Sequence, residues 1–393
     1  MKNSEKTPLT KEEQKKLLQA DRAFVFYAAV LVTLLLLSIS LVSLLVKDRD
    51  YSENENRYLA GRPTLSIQAV TSGKYMSDME EYLSDQFVGR DVLLRTRSTL
   101  DLIGGKREVN DVYVGQDHFL FEKPASLNQA AVSETTGAMN ALAVRHESLH
   151  SFAAIAPGAT ELLPEYLPAG APTENQTAQI RYIYQQLNGI DCIDLCAPLK
   201  KAKDRTALYY RTDHHWTAEA AQIAARTMTK TLIPDAAEPV YRTLPVTNTF
   251  QGTMASSSGI FRASDTISIS VPEPDVDTVV TFVNEQKKTA SLFDSSKLEG
   301  KNKYEVFLGG NYAQVNIDTN SASERVLLLI KDSYANSVVS MLTPYYRTIV
   351  MVDPRYYSGD IDDTIAKEGV TDILWLYNIN TFLSDTSIAD KFA

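Results

Sequence analysis

The segment 211–217, RTDHHWT, places a carboxylate, two neighbouring histidines and a tryptophan within seven residues. On an extended chain neighbouring side chains point to opposite faces, so the two histidines are expected to have different roles. Asp213 and His215 would share one face, where the carboxylate orients the imidazole, and His214 would face the other way. Such a pair is the base half of a nucleophilic triad. The alternative is that Thr212 or Asp213 only begins the next helix, with both histidines as packing residues.

The nucleophile that such a base needs is predicted at Ser333, 118 residues further along the chain than His215. The apolar run RVLLLI ends at Ile330 and a helix is predicted over 334–342, so Ser333 falls in the turn between them. Sites of open α/β sheets lie beyond the carboxyl ends of the strands, where N–H groups of a new helix can receive a developing negative oxygen. The G-x-S-x-G sequence is absent, and the alternative is that Asp332 or Ser333 only caps the helix.

A second constellation, His146-Glu-Ser-Leu-His150, matches the H-E-x-x-H pattern of zinc proteases. On a helix, histidines four positions apart would bind zinc on one face, with Glu147 as general base. The predicted strand SFAAIAP begins directly after His150, however, so the second histidine would lie at the helix end. A third ligand is not obvious, although Glu161 or Glu165 can be proposed. Context therefore favours the triad over a zinc site.

The elements that position these residues alternate along the chain. Apolar runs predicted as buried strands lie at 151–157, 190–195, 325–330, 348–352 and 372–377, and helices near 126–149, 174–188, 217–232, 334–342 and 360–368. Strands that are apolar throughout and separated by helices indicate a mostly parallel sheet covered on both faces. The sequence therefore predicts an α/β fold.

Composition limits the class of protein further. The chain has 393 residues with 39 basic and 49 acidic side chains, a formal charge of −10, which argues against nucleic acid as a partner. The two cysteines, Cys192 and Cys196, do not form a disulfide framework. We predict them to be small apolar residues of a buried strand, too far apart for a disulfide at roughly 13 Å.

The segment 24–46, FVFYAAVLVTLLLLSISLVSLLV, contains 23 residues without a charge, enough to cross a hydrocarbon core of roughly 30 Å. It is too long for the apolar part of a signal peptide and lacks a small-residue cleavage site. We therefore predict an uncleaved signal anchor, a transmembrane helix. Basic residues before it favour a cytoplasmic N-terminus, although Lys47 and Arg49 on the other side weaken that prediction.

The predicted organisation has four parts, of which the last two are expected on the extracytoplasmic side of the membrane. These are a cytoplasmic N-terminus (1–23), the transmembrane helix (24–46), an extended leader and helical region (47–110), and an α/β domain (111–393) with a β- and loop-rich insertion near 240–320.

The sequence YYRTDHHWT resembles the signature of the DHHW protein family, which is itself similar to the SGNH-hydrolase-like acetyltransferases of the alginate O-acetylation type. Further blocks resemble those of the family in the same order and cover nearly the whole predicted external part: YSENENRYLAGRP, SDQFVGRD, VYVGQDHFLF, FQGTMASSSG, FLGGNYA, LLLIKDSYANS and VDPRYY. The resemblance implies an SGNH-like three-layer domain.

The family pattern, D-x-H-W followed much later by a serine, implies a role for each matching residue. Asp213 would be the orienting acid, His215 the base and Ser333 the nucleophile, while His214 falls on the variable position. The order is reversed relative to the usual SGNH arrangement, as in the permuted acetyltransferase branch. The Gly and Asn blocks that complete an oxyanion hole are not obvious.

Five residues are therefore kept only as candidates for oxyanion or substrate binding: Gly310, Asn311, Arg355, Asn378 and His214. Arg355 lies just past the predicted strand TIVMV, where it would bind an anionic or hydroxyl-rich substrate or form a surface ion pair.

The resemblance implies a cell-surface polysaccharide O-acetyltransferase, or an acetylesterase if water accepts the acetyl group. The implied partners are a glycan acceptor and an integral membrane acyltransferase that delivers acetyl groups, and no metal or organic cofactor is required. Two alternatives stay open: a non-catalytic surface or glycan-binding protein on the same fold, and the zinc metalloprotease of 146–150.

Overall fold

The computed structural model describes residues 11–52 and 57–392, which divide into two compact units. The first comprises 11–52 and 57–96, and the second comprises 97–392. The second unit contains both parts of the predicted triad.

The first unit is built around helices. Helix α1 (Lys11–Leu45) contains a stretch, Asp21–Ser43, that is long and apolar enough to cross a membrane and is unburied in the structure. This stretch overlaps the predicted span 24–46. A short antiparallel pair and three helices follow: β1 (Tyr51–Ser52), β2 (Arg57–Tyr58), α2 (Ile67–Thr71), α3 (Lys74–Asp85) and α4 (Arg90–Ile103), the last of which continues into the second unit.

The strands of the second unit are β3 (Glu108–Val109), β4 (Val112–Val114), β5 (Leu120–Glu122), β6 (His150–Ala156), β7 (Asp191–Ile193), β8 (Val240–Phe250), β9 (Asp265–Glu273), β10 (Thr278–Phe282), β11 (Lys287–Thr289), β12 (Gln314–Thr319), β13 (Val326–Lys331), β14 (Thr348–Val352) and β15 (Asp372–Asn378). Its remaining helices are α5 (Gln129–Arg145), α6 (Ala159–Leu162), α7 (Gln176–Gln186), α8 (Cys196–Ala202), α9 (Ala218–Leu232), α10 (Thr253–Ser258), α11 (Ile361–Glu368), α12 (Ile379–Ser384) and α13 (Ser387–Phe392).

An eight-stranded sheet in the order β11-β10-β12-β14-β13-β15-β6-β7 forms the centre of this unit. The five strands from β14 to β7 pair in parallel, and they are the five strands predicted as buried apolar runs. The other three pair antiparallel at one side. The mostly parallel α/β sheet is thus confirmed.

Alternation along the central strands produces the layered core. Leu327 and Leu329 of β13 pack on one face of the sheet, in the same cluster as the buried side of α9. Leu328 and Ile330 pack on the other face, with α5, α7 and α11. Because successive strand residues point to opposite faces, an uninterrupted apolar run requires cover on both sides.

Within the predicted insertion near 240–320, residues 240–273 lie outside the central sheet. There β8 and β9 form an antiparallel hairpin with register shifts after Pro245 and Thr247. Residues 278–319 contain β10, β11 and β12, which extend the central sheet. Two short segments of this region, α10 and the 3₁₀ turn Lys303–Val306, contact the site described below.

The helix predicted over 334–342 is wrong in type, because the chain forms three successive 3₁₀ turns, Ser333–Ser337, Val339–Met341 and Thr343–Tyr345. Ser337 and Thr343 donate their hydroxyls to carbonyls three residues earlier, at Tyr334 and Ser340. Such side-chain hydrogen bonds compete with the regular helical pattern, and i to i+3 turns result.

Candidate active site

Ser333 lies at the carboxyl end of β13, where the strand turns into the first 3₁₀ helix. Asp332 is the N-cap residue: one of its oxygens accepts from Tyr334 N–H at 2.9 Å and the other from Asn378 N–H at 2.8 Å. The capping function that was the alternative for Ser333 therefore belongs to Asp332. Ser333 is half-buried, and its hydroxyl contacts His215 of the DHHW segment.

His215 links Ser333 to Asp213 through both ring nitrogens. Its Nε2 lies 2.8 Å from Ser333 Oγ, and its Nδ1 lies 2.5 Å from Asp213 Oδ1. A carboxylate only accepts hydrogen bonds, so the ring proton sits on Nδ1 and the Ser333 hydroxyl donates to Nε2. The structure thus brings together the three residues that the sequence selected.

The DHHW segment is a tight bend rather than the extended strand that was predicted. A bridge between Tyr209 and Trp216 closes its ends, and Asp213 Oδ1 accepts from the backbone N–H of His215 at 2.9 Å. This local hydrogen bond is the usual way in which an Asp turns the chain two residues on. The bend, not a strand pleat, puts the carboxylate next to the imidazole.

His214 does not face away from His215, so that prediction is wrong. The two rings have centroids 4.0 Å apart and planes inclined by 34°, because the bent backbone lacks the alternation of a strand. The His214 Nδ1 lies 4.0 Å from Asp213 Oδ1, and the side chain is 23% exposed. Its carbonyl oxygen accepts from the Tyr334 hydroxyl, which joins the bend to the turn that holds Ser333.

Trp216 packs in the core and also makes a polar contact. Its side chain is fully buried, and Nε1–H donates to Ser337 Oγ at 2.9 Å. Asp265 of β9 provides a second support by accepting from Arg211 N–H and from the N–H and hydroxyl of Thr212. The bend is therefore fixed from two sides, and no sequence motif had pointed to Asp265.

Helix α10 supports Asp213 in a way that the sequence analysis missed. The backbone N–H of Thr253, at the start of α10, donates to Asp213 Oδ2 at 2.7 Å. Gly252 precedes it, and a Cβ at that position would lie 2.3 Å from Asp213 Oδ2. The available signal was the block FQGTMASSSG, in which glycine allows the backbone to approach the carboxylate closely.

The charges of the site follow from burial and from these contacts. Burial opposes ionisation of Asp213, but His215, His214 and the hydrogen bonds it accepts outweigh this, so the pKa of Asp213 lies well below its usual range. Burial lowers the pKa of His215 to about 4, with His214 acting in the same direction and Asp213 against it. His215 is therefore neutral near pH 7 and free to accept a proton at Nε2.

Asp213, His214 and His215 have ligand atoms within 4.8 Å of one another, which is close enough for a metal ion. However, Asp213 Oδ1 already accepts from the His215 ring and backbone, and Oδ2 accepts from Thr253. The arrangement suits proton transfer through His215, because both of its ring nitrogens and both carboxylate oxygens of Asp213 have hydrogen-bond partners.

A buried ion network lies beside the turn that carries Ser333. Lys331 donates to Asn311 Oδ1 at 3.0 Å and to Asp353 Oδ2 at 3.3 Å, while Arg355 donates to both oxygens of Asp353 at 2.8 and 2.7 Å. Asp353 is fully buried, and the Arg355 side chain is 28% exposed. Arg355 therefore forms the ion pair that was its alternative, but with a buried carboxylate instead of one at the surface.

The remaining candidates have structural partners. Gly310 has a φ of 131°, and its carbonyl lies 3.5 Å from Asn336 Nδ2. The Asn311 oxygen accepts from both Lys331 and Asn336, which fixes the orientation of its amide. Asn378 caps α12 through its side-chain oxygen and holds Asp332 through its N–H.

The zinc-protease alternative at 146–150 is wrong in its geometry. Helix α5 ends at Arg145, His146 is its C-cap residue, and His150 already begins β6. The two histidines therefore share no helix face. His146 Nε2 instead lies 2.5 Å from Asp362 Oδ1, which explains its presence at the helix end.

The cysteines are both free thiols. Cys196 is buried as expected, although it begins helix α8 instead of lying in a strand, and Cys192 is exposed. The prediction for Cys192 is wrong because β7 is the outermost strand of the sheet on its side.

A parallel-stranded α/β sheet that carries Ser333, His215 and Asp213 in hydrogen-bond contact beyond its carboxyl edge defines the SGNH-like class of fold. The sequence model of the family described as "SGNH hydrolase-like domain, acetyltransferase AlgX" matches residues 112–311, about half of the chain. The protein belongs to this family of SGNH hydrolase-like acetyltransferases.

Sequence relatives of this chain include proteins that are described as O-acetylases. A probable alginate O-acetylase AlgJ of Azotobacter vinelandii is 27% identical over 208 residues, which are 49% of this chain and 52% of the relative. The protein of the same description from Pseudomonas syringae pv. tomato is 26% identical over 172 residues, 42% and 44% of the two chains. The chain thus spans about half the length of the curated relatives it matches.

Solved structures share the fold. A DHHW family protein from Eubacterium siraeum superposes with a TM-score of 0.62 at 22% identity, covering 72% of this chain and 95% of that one. Bacillus cereus PatB1 with a sulfonyl adduct gives a TM-score of 0.60 at 18% identity and covers 72% and 98%. At these identities the likeness concerns the architecture.

Proposed function

We propose that this chain is an extracytoplasmic polysaccharide O-acetyltransferase that works through an acetyl-serine on Ser333. The observation that carries the proposal is the hydrogen-bonded path from Ser333 Oγ through His215 to Asp213, with distances of 2.8 and 2.5 Å. Membership of an acetyltransferase family and the likeness to proteins named alginate O-acetylase support the class of acyl group and acceptor.

In the first half-reaction His215 Nε2 takes the Ser333 hydroxyl proton while Oγ bonds to the acetyl carbonyl carbon. The imidazolium is stabilised by Asp213 and returns the proton to the oxygen of the departing alcohol, which leaves acetyl-serine. In the second half-reaction His215 removes a proton from a glycan hydroxyl, whose oxygen attacks the same carbonyl. Ser333 then leaves and regains its proton from His215. Water in place of the glycan makes the reaction an esterase reaction.

The negative oxygen that develops in both halves needs donors. Ser333 lies at the first position of a 3₁₀ turn, where a backbone N–H has no partner within the turn, so we assign its own N–H as one donor. We assign the further donor to the 310–311 loop, because the contacts of Lys331 and Asn336 fix the orientation of the Asn311 amide. Arg355 is proposed to face the acceptor with the exposed part of its guanidinium.

The apolar helix at Asp21–Ser43 supports a single-pass anchor that keeps the domain at the extracytoplasmic surface of the cell membrane. An integral membrane acyltransferase is the proposed acetyl donor partner, since an extracytoplasmic enzyme has no access to cytoplasmic acetyl carriers. The acceptor is a polysaccharide of the cell surface.

Turnover of a chromogenic acetyl ester by the full-length chain in detergent tests the nucleophile and the base. Ser333→Ala and His215→Ala should each reduce kcat by a factor on the order of 10⁴ or more. An aryl sulfonyl fluoride should label the wild-type protein at Ser333 and leave Ser333→Ala unlabelled. Ser296 is exposed, and the control variant Ser296→Ala should behave as wild type. Equal ester turnover by wild type and Ser333→Ala would rule the proposal out.

A second measurement distinguishes transfer from hydrolysis. The enzyme is given the acetyl ester together with deacetylated polysaccharide fragments, and the products are analysed by mass spectrometry. Acetylated fragments that depend on Ser333 support the transferase, whereas free acetate as the sole product identifies an esterase.

A further inference from the structure

The imidazole of His215 is enclosed between two rings. On one face the Tyr304 ring is stacked almost parallel to it, with centroids 3.7 Å apart and planes inclined by 14°. On the other side the His214 ring lies at 4.0 Å. Rotation of the imidazole out of its plane would therefore collide with one ring or the other.

Tyr304 is itself held firmly. It belongs to the 3₁₀ turn Lys303–Val306 and is 6% exposed within a cluster that also contains Tyr210, Phe250 and Phe307. The Phe307 ring lies 5.0 Å from it, and the Tyr210 ring packs edge-on at 6.4 Å. Side chains packed in this way move little, and a residue that holds another in place must itself be rigid.

We propose that Tyr304 is the positioning residue of the base: its ring face holds the His215 imidazole in the orientation that Ser333 requires. The role of Tyr304 in catalysis rests on the proposed function, whereas its contact with His215 rests on the stacking geometry alone. It gives the region around 240–320 a role, because the aromatic cluster of that region presents Tyr304 to the site.

The same contact excludes water from one face of the imidazole. The groups that face or act on His215 are Asp213 and His214 from its own bend, Ser333 and Tyr334 from the nucleophile turn, Tyr304 from the opposite side, and the more distant charge of Arg355. Among these contributions burial is the strongest influence on the imidazole. Removal of the Tyr304 ring should therefore change both the orientation and the titration of His215.

The test compares Tyr304→Leu with Tyr304→Phe in the full-length chain in detergent. The Leu variant loses the flat ring, so kcat for the acetyl ester should fall about tenfold or more while KM stays within about twofold. The Phe variant keeps the ring face and should retain kcat. Tyr346→Leu is the matched control, since Tyr346 is fully buried among core residues and contacts Arg325 away from the site.

Titration of ¹³C-labelled histidines by NMR gives a readout independent of turnover, with five histidines in the chain. Tyr304→Leu should move the His215 midpoint upward toward 6.5, whereas Tyr304→Phe and Tyr346→Leu should leave it in place. A purely structural loss would lower the folded fraction without moving the midpoint.

The outcomes separate the two proposals. If wild type turns over the ester through Ser333 but Tyr304→Leu keeps both kcat and the His215 midpoint, the positioning proposal is wrong and the proposed function stands. If Tyr304→Phe loses as much kcat as Tyr304→Leu, the hydroxyl and not the ring face matters, and the proposal is also wrong. If the midpoint shifts but Ser333-dependent turnover is absent, the contact is supported and the proposed function fails.

Discussion

Gly252 approaches Asp213 so closely that a Cβ on the glycine would lie 2.3 Å from both the Cβ and Oδ2 of the carboxylate side chain. The close approach lets the next residue, Thr253, donate its N–H to that oxygen at 2.7 Å. The orientation of Asp213 thus depends on the absence of a side chain at a position 39 residues further along the chain.

Gly252→Ala should displace Asp213 and, through it, His215. We expect kcat/KM for an acetyl ester to fall on the order of 10²-fold, because a displacement of about 1 Å is sufficient for such a loss. Gly137→Ala is the control, since nothing lies within 4 Å of a Cβ at that exposed position of α5. It should keep activity and gain up to about 1 kcal/mol of stability. Full activity of Gly252→Ala would contradict the role of the close approach.

The pH dependence of ester turnover should reflect the lowered pKa of His215. Above this pKa the imidazole is neutral and accepts the Ser333 proton; below it, the imidazole is protonated and the reaction stops. The acid limb of kcat/KM should therefore lie below pH 6.5, with constant activity from pH 6.5 to 8. Initial rates from pH 4 to 8, corrected for spontaneous hydrolysis, provide the measurement. An acid limb centred above 6.5 would show that Asp213 outweighs burial.

His214 and His215 should respond very differently to replacement by alanine. His214 contacts the base but lies outside the path of the proton, so His214→Ala should keep turnover within about tenfold of wild type. Its removal also takes away one group that lowers the pKa of His215, so the acid limb should move to higher pH. Parallel pH–rate profiles of the two single variants measure this. An equally complete loss in both would assign His214 a direct role in proton transfer.

Asp353 should be among the most sensitive positions for stability. Its carboxylate neutralises both Lys331 and Arg355, and it is fully buried. Asp353→Asn would leave two positive charges without their counter-charge, and the free energy of unfolding should fall by about 3–5 kcal/mol. Asp363→Asn at an exposed position of α11 should change it by less than about 0.5 kcal/mol. Denaturant unfolding of both variants, followed by tryptophan fluorescence, decides the comparison.

Much of the fold was readable from the sequence, because local pattern determines it. Uninterrupted apolar runs such as 326–330 can only be buried on both faces, so they predicted the five parallel strands. Thr and Ser residues that donate to the backbone converted the expected helix at 334–342 into 3₁₀ turns, and that competition depends on side-chain rotamers that a periodic pattern does not express.

The sequence by itself determined which residue types could form the site: Ser333 after a buried strand, and Asp213 two positions before His215. Only the tertiary structure decided that Ser333 and His215 meet at 2.8 Å, that the bend places His214 beside His215, that the backbone at Gly252 lies against Asp213, and that the Tyr304 ring stacks on His215. The reason is physical. Spacing along a chain fixes the neighbours within one turn or strand, whereas contacts between segments tens of residues apart are fixed by the packing of the whole sheet and its covering elements.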